Sequence, residues 1–214
     1  MDDDWPPVRG DYRVGDRRRG VAVVTLASSL EIRGAAIVGT CKTENLGVEK
    51  IVVNLISNPS IRYLIVCGAE SRGHLPGDAI ISLHRNGIDS SGRIIGAAGA
   101  IPFIQNLQPE AVERFRRQID VVDMRGVEDV AEIERVVDHY REIAEPFPEP
   151  PFGVVKKTHR SMSQPSDIDV SLGPDVYLDV DTWVVFPLTQ KQHLPSVSDG
   201  RGDGTCSDLP GISR

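Results

Sequence analysis

Short β-branched apolar runs alternate along this chain with longer segments of helical periodicity, and that alternation restricts the fold more than any other property of the sequence. The first run is Val21-Ala22-Val23-Val24-Thr25-Leu26-Ala27. It is too short for a helix and too apolar for a half-exposed strand, which fits a strand covered on both faces. Similar runs stand at Ala35 to Val38, Tyr63 to Cys67, Ile94 to Ala98 and Asp120 to Met124. Thr43 is expected to cap a helix carrying Glu44, Leu46, Val48, Ile51, Val52, Leu55 and Ile56, ended by Asn58-Pro59. Gly77 to Asn86 reads as a second helix, stopped at Gly87. A third starts at Pro109 with Ala111, Val112, Phe115 and Ile119 on one face, and a fourth carries Val127, Val130, Ile133, Val136, Val137 and Tyr140. Strands alternating with helices mean βαβ units, hence a Rossmann-like α/β domain whose mostly parallel sheet has helices on both faces.

That domain is expected to occupy residues 1–144. The stretch 145–152, EPFPEPPF, reads as a Pro-rich linker. In the extension 153–214, Val176 to Phe186 predicts one or two strands, and the Gly-, Ser- and Asp-rich tail from Ser196 reads as disordered. Arg201-Gly202-Asp203 in that tail is taken as a chance tripeptide. A net charge of -7 argues against a nucleic-acid partner. The dense cationic run Arg17-Arg18-Arg19 sits beside Asp11 and Asp16 and reads as a solvated loop. Three cysteines without C-x-x-C spacing give neither a disulfide framework nor a zinc ribbon, so a reducing, cytoplasmic setting is expected. No stretch approaches the roughly 18 apolar residues of a membrane span, and the acidic start MDDDWPPVRG lacks the core of an export signal.

Ligands of an open parallel sheet bind beyond the carboxyl ends of its strands. The segments placed there are Gly39-Thr-Cys-Lys-Thr-Glu-Asn-Leu-Gly47, Gly68-Ala-Glu-Ser-Arg-Gly-His-Leu-Pro-Gly77 and Gly96-Ala-Ala-Gly-Ala-Ile-Pro102. Candidate binding residues are therefore Gly39, Thr43, Asn45, Leu46, Gly68, Ala69, Glu70, Gly73, His74, Gly96, Gly99 and Pro102. The first segment approaches a P-loop pattern, but Thr40 and Cys41 separate Gly39 from Lys42 and Gly34 precedes the strand, so its amides cannot surround one phosphate group. No G-x-G-x-x-G or G-x-S-x-G occurs in these loops. His74 has no second histidine at ligand spacing for a zinc site: His84 falls within a predicted helix, and His139, His159 and His193 lie in other segments. A lone imidazole still serves where a metal arrives already held by a macrocycle.

At this point a family resemblance enters. Residues 34–89, GAAIVGTCKTENLGVEKIVVNLISNPSIRYLIVCGAESRGHLPGDAIISLHRNGID, followed by GRIIGAAGAIPFIQN, resemble the corrinoid-carrying A subunit of tetrahydromethanopterin S-methyltransferase. WPPVRGDYRVGD and EAVERFRRQIDVVDMRGVEDV extend the similarity to roughly residues 5–144. The resemblance implies a corrinoid cofactor, cobalamin or 5-hydroxybenzimidazolylcobamide, with His74 on the lower axial side of its cobalt. It also implies a methyl carrier, itself non-catalytic, working between a methylated tetrahydropterin and a thiol such as coenzyme M. Its expected partners are the subunit that acts as pterin methyltransferase, with other members of the methyltransferase complex. A carboxylate behind His74 would fix its tautomer; Glu70 and Asp78 are nearest in sequence, and Glu44 is the best placed on another loop.

Members of the family's membrane complex carry a C-terminal transmembrane helix after an acidic linker. This sequence shows none, and residues 153–214 match nothing in the pattern, so a carrier outside the sodium-pumping complex is expected. The alternatives are a corrinoid storage or delivery module and a Rossmann-like enzyme acting on a phosphorylated or pterin substrate.

Overall fold

Alternate residues of the central strands feed two separate cores, and this parity organises the molecule. In the computed structural model, which describes residues 5–153 and the backbone of residues 170–173, 176–179 and 184–187, Ala22, Val24, Leu64 and Val66 point to one side. Their neighbours Val21, Val23, Ile65 and Cys67 point to the other. All eight are buried, as the continuous apolar runs require.

The elements follow in the order β1 (Tyr12–Val14), β2 (Val21–Val24), β3 (Ile37–Gly39), α1 (Leu46–Ile56), β4 (Tyr63–Gly68), α2 (Pro76–Asn86), α3 (Pro109–Gln118), β5 (Asp120–Arg125) and α4 (Val130–Ile143). The sheet runs β1-β3-β2-β4-β5; β3, β2, β4 and β5 are parallel, and only the edge strand β1 is antiparallel. From β2 the chain steps one way to β3, then back past β2 to β4 and on to β5. Right-handed crossovers therefore put the first connection on one face and the later ones on the opposite face. Ile32 and Ala35 of the first connection indeed pack with α4, through Ile133 and Val137. The helices α1, α2 and α3 cover the other face through Val48, Val52, Leu83, Val112 and Phe115. The fold is thus α/β and Rossmann-like, with a mixed, mostly parallel five-stranded sheet.

One predicted strand is absent. Ile94 to Ala98 forms no ladder, only isolated bridges joining Ile88 to Ile94 and Arg93 to Phe103. Gly92 and Gly96 flank Ile94 with φ of +84° each, so the chain turns on both sides of it before a register can be established. Ile94 and Ala97 are buried under the helical layer instead. The first helix also starts later than expected: Asn45, not Thr43, is its cap, with Oδ1 accepting from Leu46 N–H at 2.7 Å. Thr43 Oγ1 accepts from Gly47 N–H at 3.0 Å, so it still serves the first turn from outside.

Residues 145–152 lie along the domain. Phe152 N–H reaches Ile56 O at 3.0 Å, and the Arg114 guanidinium sits 4.5 Å above the Phe147 ring while donating to Glu149 Oε2 at 2.8 Å. A separate unit contains a three-stranded antiparallel sheet, β6 (Val170–Gly173), β7 (Val176–Asp179) and β8 (Val184–Pro187), in that spatial order. β7 lies inside the segment Val176 to Phe186, which β8 overlaps and overruns by one residue, and β6 lies before it. The tail with Arg201-Gly202-Asp203 lies outside the described residues. Among the described residues, no helix is long and apolar enough to cross a membrane.

Candidate functional site

The loops after β3 and β4 both lead into helices on the same face of the sheet, and they meet through a carboxylate and an imidazole. Nδ1 of His74 lies 2.9 Å from Oε2 of Glu44. The Glu44 side chain is 1% exposed and that of His74 51% exposed, so the pair runs from the interior to the surface. A buried carboxylate survives only if its oxygens are hydrogen-bonded, and Oε1 of Glu44 accepts from Ile101 N–H at 2.7 Å. Burial pushes the Glu44 carboxyl upward, but the N–H groups of Ile101 and Glu44 itself, together with His74, outweigh it and leave the group below its usual range. A carboxylate only accepts, so Nδ1 carries a proton, and in the neutral form of the ring the lone pair is on Nε2. No described residue hydrogen-bonds Nε2.

The third loop closes over this pair. A Cβ built on Gly99 would lie 2.4 Å from His74 O and 3.0 Å from Glu44 Cγ, so only glycine fits where the loops cross. Ala100 N–H reaches Gly73 O at 3.3 Å. Gly73 has φ of +82° and open space beside it, which turns the chain and lifts His74 outward. Leu46 and Ile101, 56% and 55% exposed, present apolar side chains from two of these loops. The result is a half-exposed imidazole held among loops that also expose two apolar side chains.

Several expected residues have other occupations. Glu70 accepts from Gly77 and Asp78 N–H at 3.0 and 2.8 Å, replacing the side-chain cap that Leu75 lacks at the start of α2. Asp78 Oδ2 accepts from Ala98 N–H at 2.9 Å. Of the three carboxylates considered behind His74, the one in contact is Glu44. Gly68, with φ of +81°, lets the chain pass Thr25 O, where a Cβ would come within 2.3 Å. Ala69 is tied to the loop after β2, its N–H donating to Ser28 Oγ at 2.8 Å and its carbonyl accepting from Ala27 N–H. Gly39 is where β1 approaches, a Cβ there meeting Asp11 O at 2.8 Å. Thr43 and Asn45 hold the first turn of α1, and Gly96 and buried Pro102 shape the third loop, Pro102 O accepting from Ile94 N–H. What the sequence reading missed is the backbone part, the Ile101, Ala98 and Ala100 N–H groups, which no residue type announces.

Among the described residues, no group of three or more His, Cys, Asp or Glu side chains is gathered as a metal site. Burial pushes the Cys41 and Cys67 thiols up to about 12, so neither is a nucleophile at neutral pH.

The depressed Glu44 carboxyl makes a signed prediction. Because its folded value is lower than its ordinary 4.5, it contributes stability that is fully present above that value and lost as pH falls through the lower folded one. Glu44→Gln is expected to cost about 1.5–3 kcal/mol at neutral pH, the range of a hydrogen bond to a charged group. Urea titrations of both proteins should show the difference shrinking below about pH 4. A difference independent of pH would mean that the carboxylate charge is not what holds the pair.

Residues 1–149 match the family model MtrA, described as the A subunit of tetrahydromethanopterin S-methyltransferase. The chain is 52% identical over 180 residues to the A subunit of the putative methyltransferase Mtx of Methanosarcina acetivorans, covering 83% of this chain and 91% of the relative. It is 57% identical over 136 residues to the second A subunit of tetrahydromethanopterin S-methyltransferase from Methanothermobacter marburgensis, covering 61% and 74%. The first A subunit of that enzyme from Methanothermobacter thermautotrophicus is 54% identical over 138 residues, 62% of this chain and 58% of the relative. With the family model spanning the whole of the sheet, its four helices and the His74 loop, the chain belongs to the MtrA family of tetrahydromethanopterin S-methyltransferase A subunits.

Proposed function

We propose that this protein is a corrinoid-binding methyl carrier that works with a partner methyltransferase, between a methylated tetrahydropterin and a thiol such as coenzyme M. The observation that carries the reading is the Glu44–His74 pair, which holds the half-exposed imidazole by Nδ1 and leaves Nε2 without a hydrogen-bond partner among the described residues. Buried carboxylate behind, half-exposed imidazole in front is the arrangement by which proteins orient a metal-binding histidine and raise its basicity. The exposed apolar Leu46 and Ile101 and the open space at Gly73 would suit the apolar surface of a macrocycle.

When bound, the corrinoid supplies a cobalt centre able to accept a methyl group and pass it to a thiol. His74 would hold that centre through Nε2. Glu44 keeps the proton on Nδ1, so the ligating nitrogen needs no deprotonation before it binds. Glu70, Asp78 and the Gly99 crossing keep the loops in place around it. Names of relatives support the methyltransferase setting, since they describe subunits of such systems. Methyl donor and acceptor would be brought by partner proteins, this chain providing the carrier site.

Titration of the purified protein with cobalamin, followed by ultraviolet-visible absorption, tests the reading. The corrin bands should shift on binding, and His74→Ala should give a different bound spectrum because the ligating nitrogen is gone. If neither protein perturbs the bands, the carrier reading fails. Identical bound spectra would retain corrinoid binding but remove His74 as its ligand.

A further inference from the structure

Arg125 closes β5 in register with Gly68, the last residue of β4 and the start of the His74 loop. Asp123 aligns its guanidinium: Nε donates to Oδ1 at 2.9 Å and Nη2 to Oδ2 at 2.8 Å. The remaining nitrogen, Nη1, lies 3.9 Å from Glu70 Oε1 and 3.7 Å from Asp78 Oδ1. Its stem passes over the first turn of α2, where a Cβ on Gly77 would fall 2.9 Å from Arg125 Cδ and 2.6 Å from Glu70 Oε1. A planar fork that satisfies one carboxylate with two donors and offers its third nitrogen to two more is a role arginine fills and lysine does not.

The two carboxylates gathered by Nη1 fix different parts of the site. Glu70 closes residues 70–78 into a ring by accepting from Gly77 and Asp78 N–H, with His74 inside that ring. Asp78 accepts from Ala98 N–H and so pins the third loop. Further along that loop, Ala100 bonds Gly73 O and Ile101 bonds Glu44. Two like charges within reach of one nitrogen repel each other when the cation is removed, so the loss of Arg125 should loosen both loops together.

We propose that Arg125 is a positioning residue for His74, gathering Glu70 and Asp78 so that the His74 loop and the loop that satisfies Glu44 stay in register. Its functional meaning rests on the reading of His74 as an axial ligand. Its structural content does not, which allows the two to fail separately.

The test uses the full chain without cofactor, labelled with nitrogen-15 in histidine, and reads imidazole tautomers by NMR at about pH 8, above the ordinary imidazole range. Wild-type His74 should show the Nδ1–H form imposed by Glu44. His84 is an internal control, because its Nε2 lies 2.8 Å from the carbonyl of Ile119, an acceptor that demands the Nε2–H form. In Arg125→Met the single Nδ1–H pattern of His74 should be lost while His84 keeps its own, and Arg125→Lys should restore part of it. An unchanged His74 pattern in Arg125→Met overturns the proposal. So does collapse of both histidine signals in Arg125→Met and Arg125→Gln alike, since Arg125 would then be a determinant of the whole fold. A wild-type protein that leaves the cobalamin bands unperturbed would remove the ligand reading while the tautomer result stood.

Discussion

Gly99→Ala is expected to weaken cobalamin binding by about 10–100-fold, the loss typical when the support of a metal-binding histidine is disturbed. The added methyl carbon would start 2.4 Å from His74 O, a backbone atom that cannot rotate aside, and 3.0 Å from Glu44 Cγ. Something must move, and each route open to it touches the pair: the 96–101 loop lifts and Ile101 N–H leaves Glu44, or His74 shifts and Nδ1 leaves it. The cost in stability should be modest, about 1–3 kcal/mol for overpacking a tight contact. Binding should therefore suffer more than folding. A dissociation constant unchanged from wild type, in a variant of near-normal melting temperature, would show that the crossing of these loops has no bearing on the site.

Phe115→Ala should show the opposite balance, lowering the unfolding free energy by about 3–5 kcal/mol. Phe115 is fully buried on α3, within the cluster that joins α1 and α2 to the sheet, and it meets the edge of His84 at a centroid distance of 5.9 Å. Total stabilities of domains are about 5–15 kcal/mol, so the loss would be a large part of the whole. Denaturant titration should show a lower midpoint with an unchanged slope. Leu46→Ala is the contrast: Leu46 is 56% exposed, and its removal should alter stability by no more than about 0.5 kcal/mol. Similar losses in both variants would contradict the assigned core.

Much of this fold is legible in the sequence because its central strands are covered on both faces and so carry unbroken β-branched runs, as Val21 to Val24 and Tyr63 to Cys67 do. Ile94 to Ala98 has the same apolar character, and what distinguishes it is backbone conformation at Gly92 and Gly96, invisible to composition. Tyr12–Val14 went unseen for a different reason. Its three residues form an edge strand with only Tyr12 partly buried, too short for an apolar pattern to betray it. At the site, His74 stands out by residue type, while its carboxylate partner was narrowed only to Glu44, Glu70 and Asp78. Sequence proximity favoured the last two, yet both spend their oxygens on backbone N–H groups at α2 and the third loop. Glu44, 30 positions from His74, is brought to it by the β3–β2–β4 order of the sheet. Arg125 carries no sequence signal, since its role exists only once β5 has paired with β4.

The docking of residues 145–152 has a practical consequence. Phe152 is bonded to Ile56 at the last turn of α1, whereas Leu46, at the first, lies beside Glu44. Eleven helical residues separate these ends by about 16 Å. Residues 145–152 are thus anchored at the end of α1 away from the imidazole, like a handle fixed to the back of a tool. A fluorescent label on Glu149 or Pro150 would therefore report on this anchored segment from the far end of α1, about 16 Å of helix away from the Glu44 end.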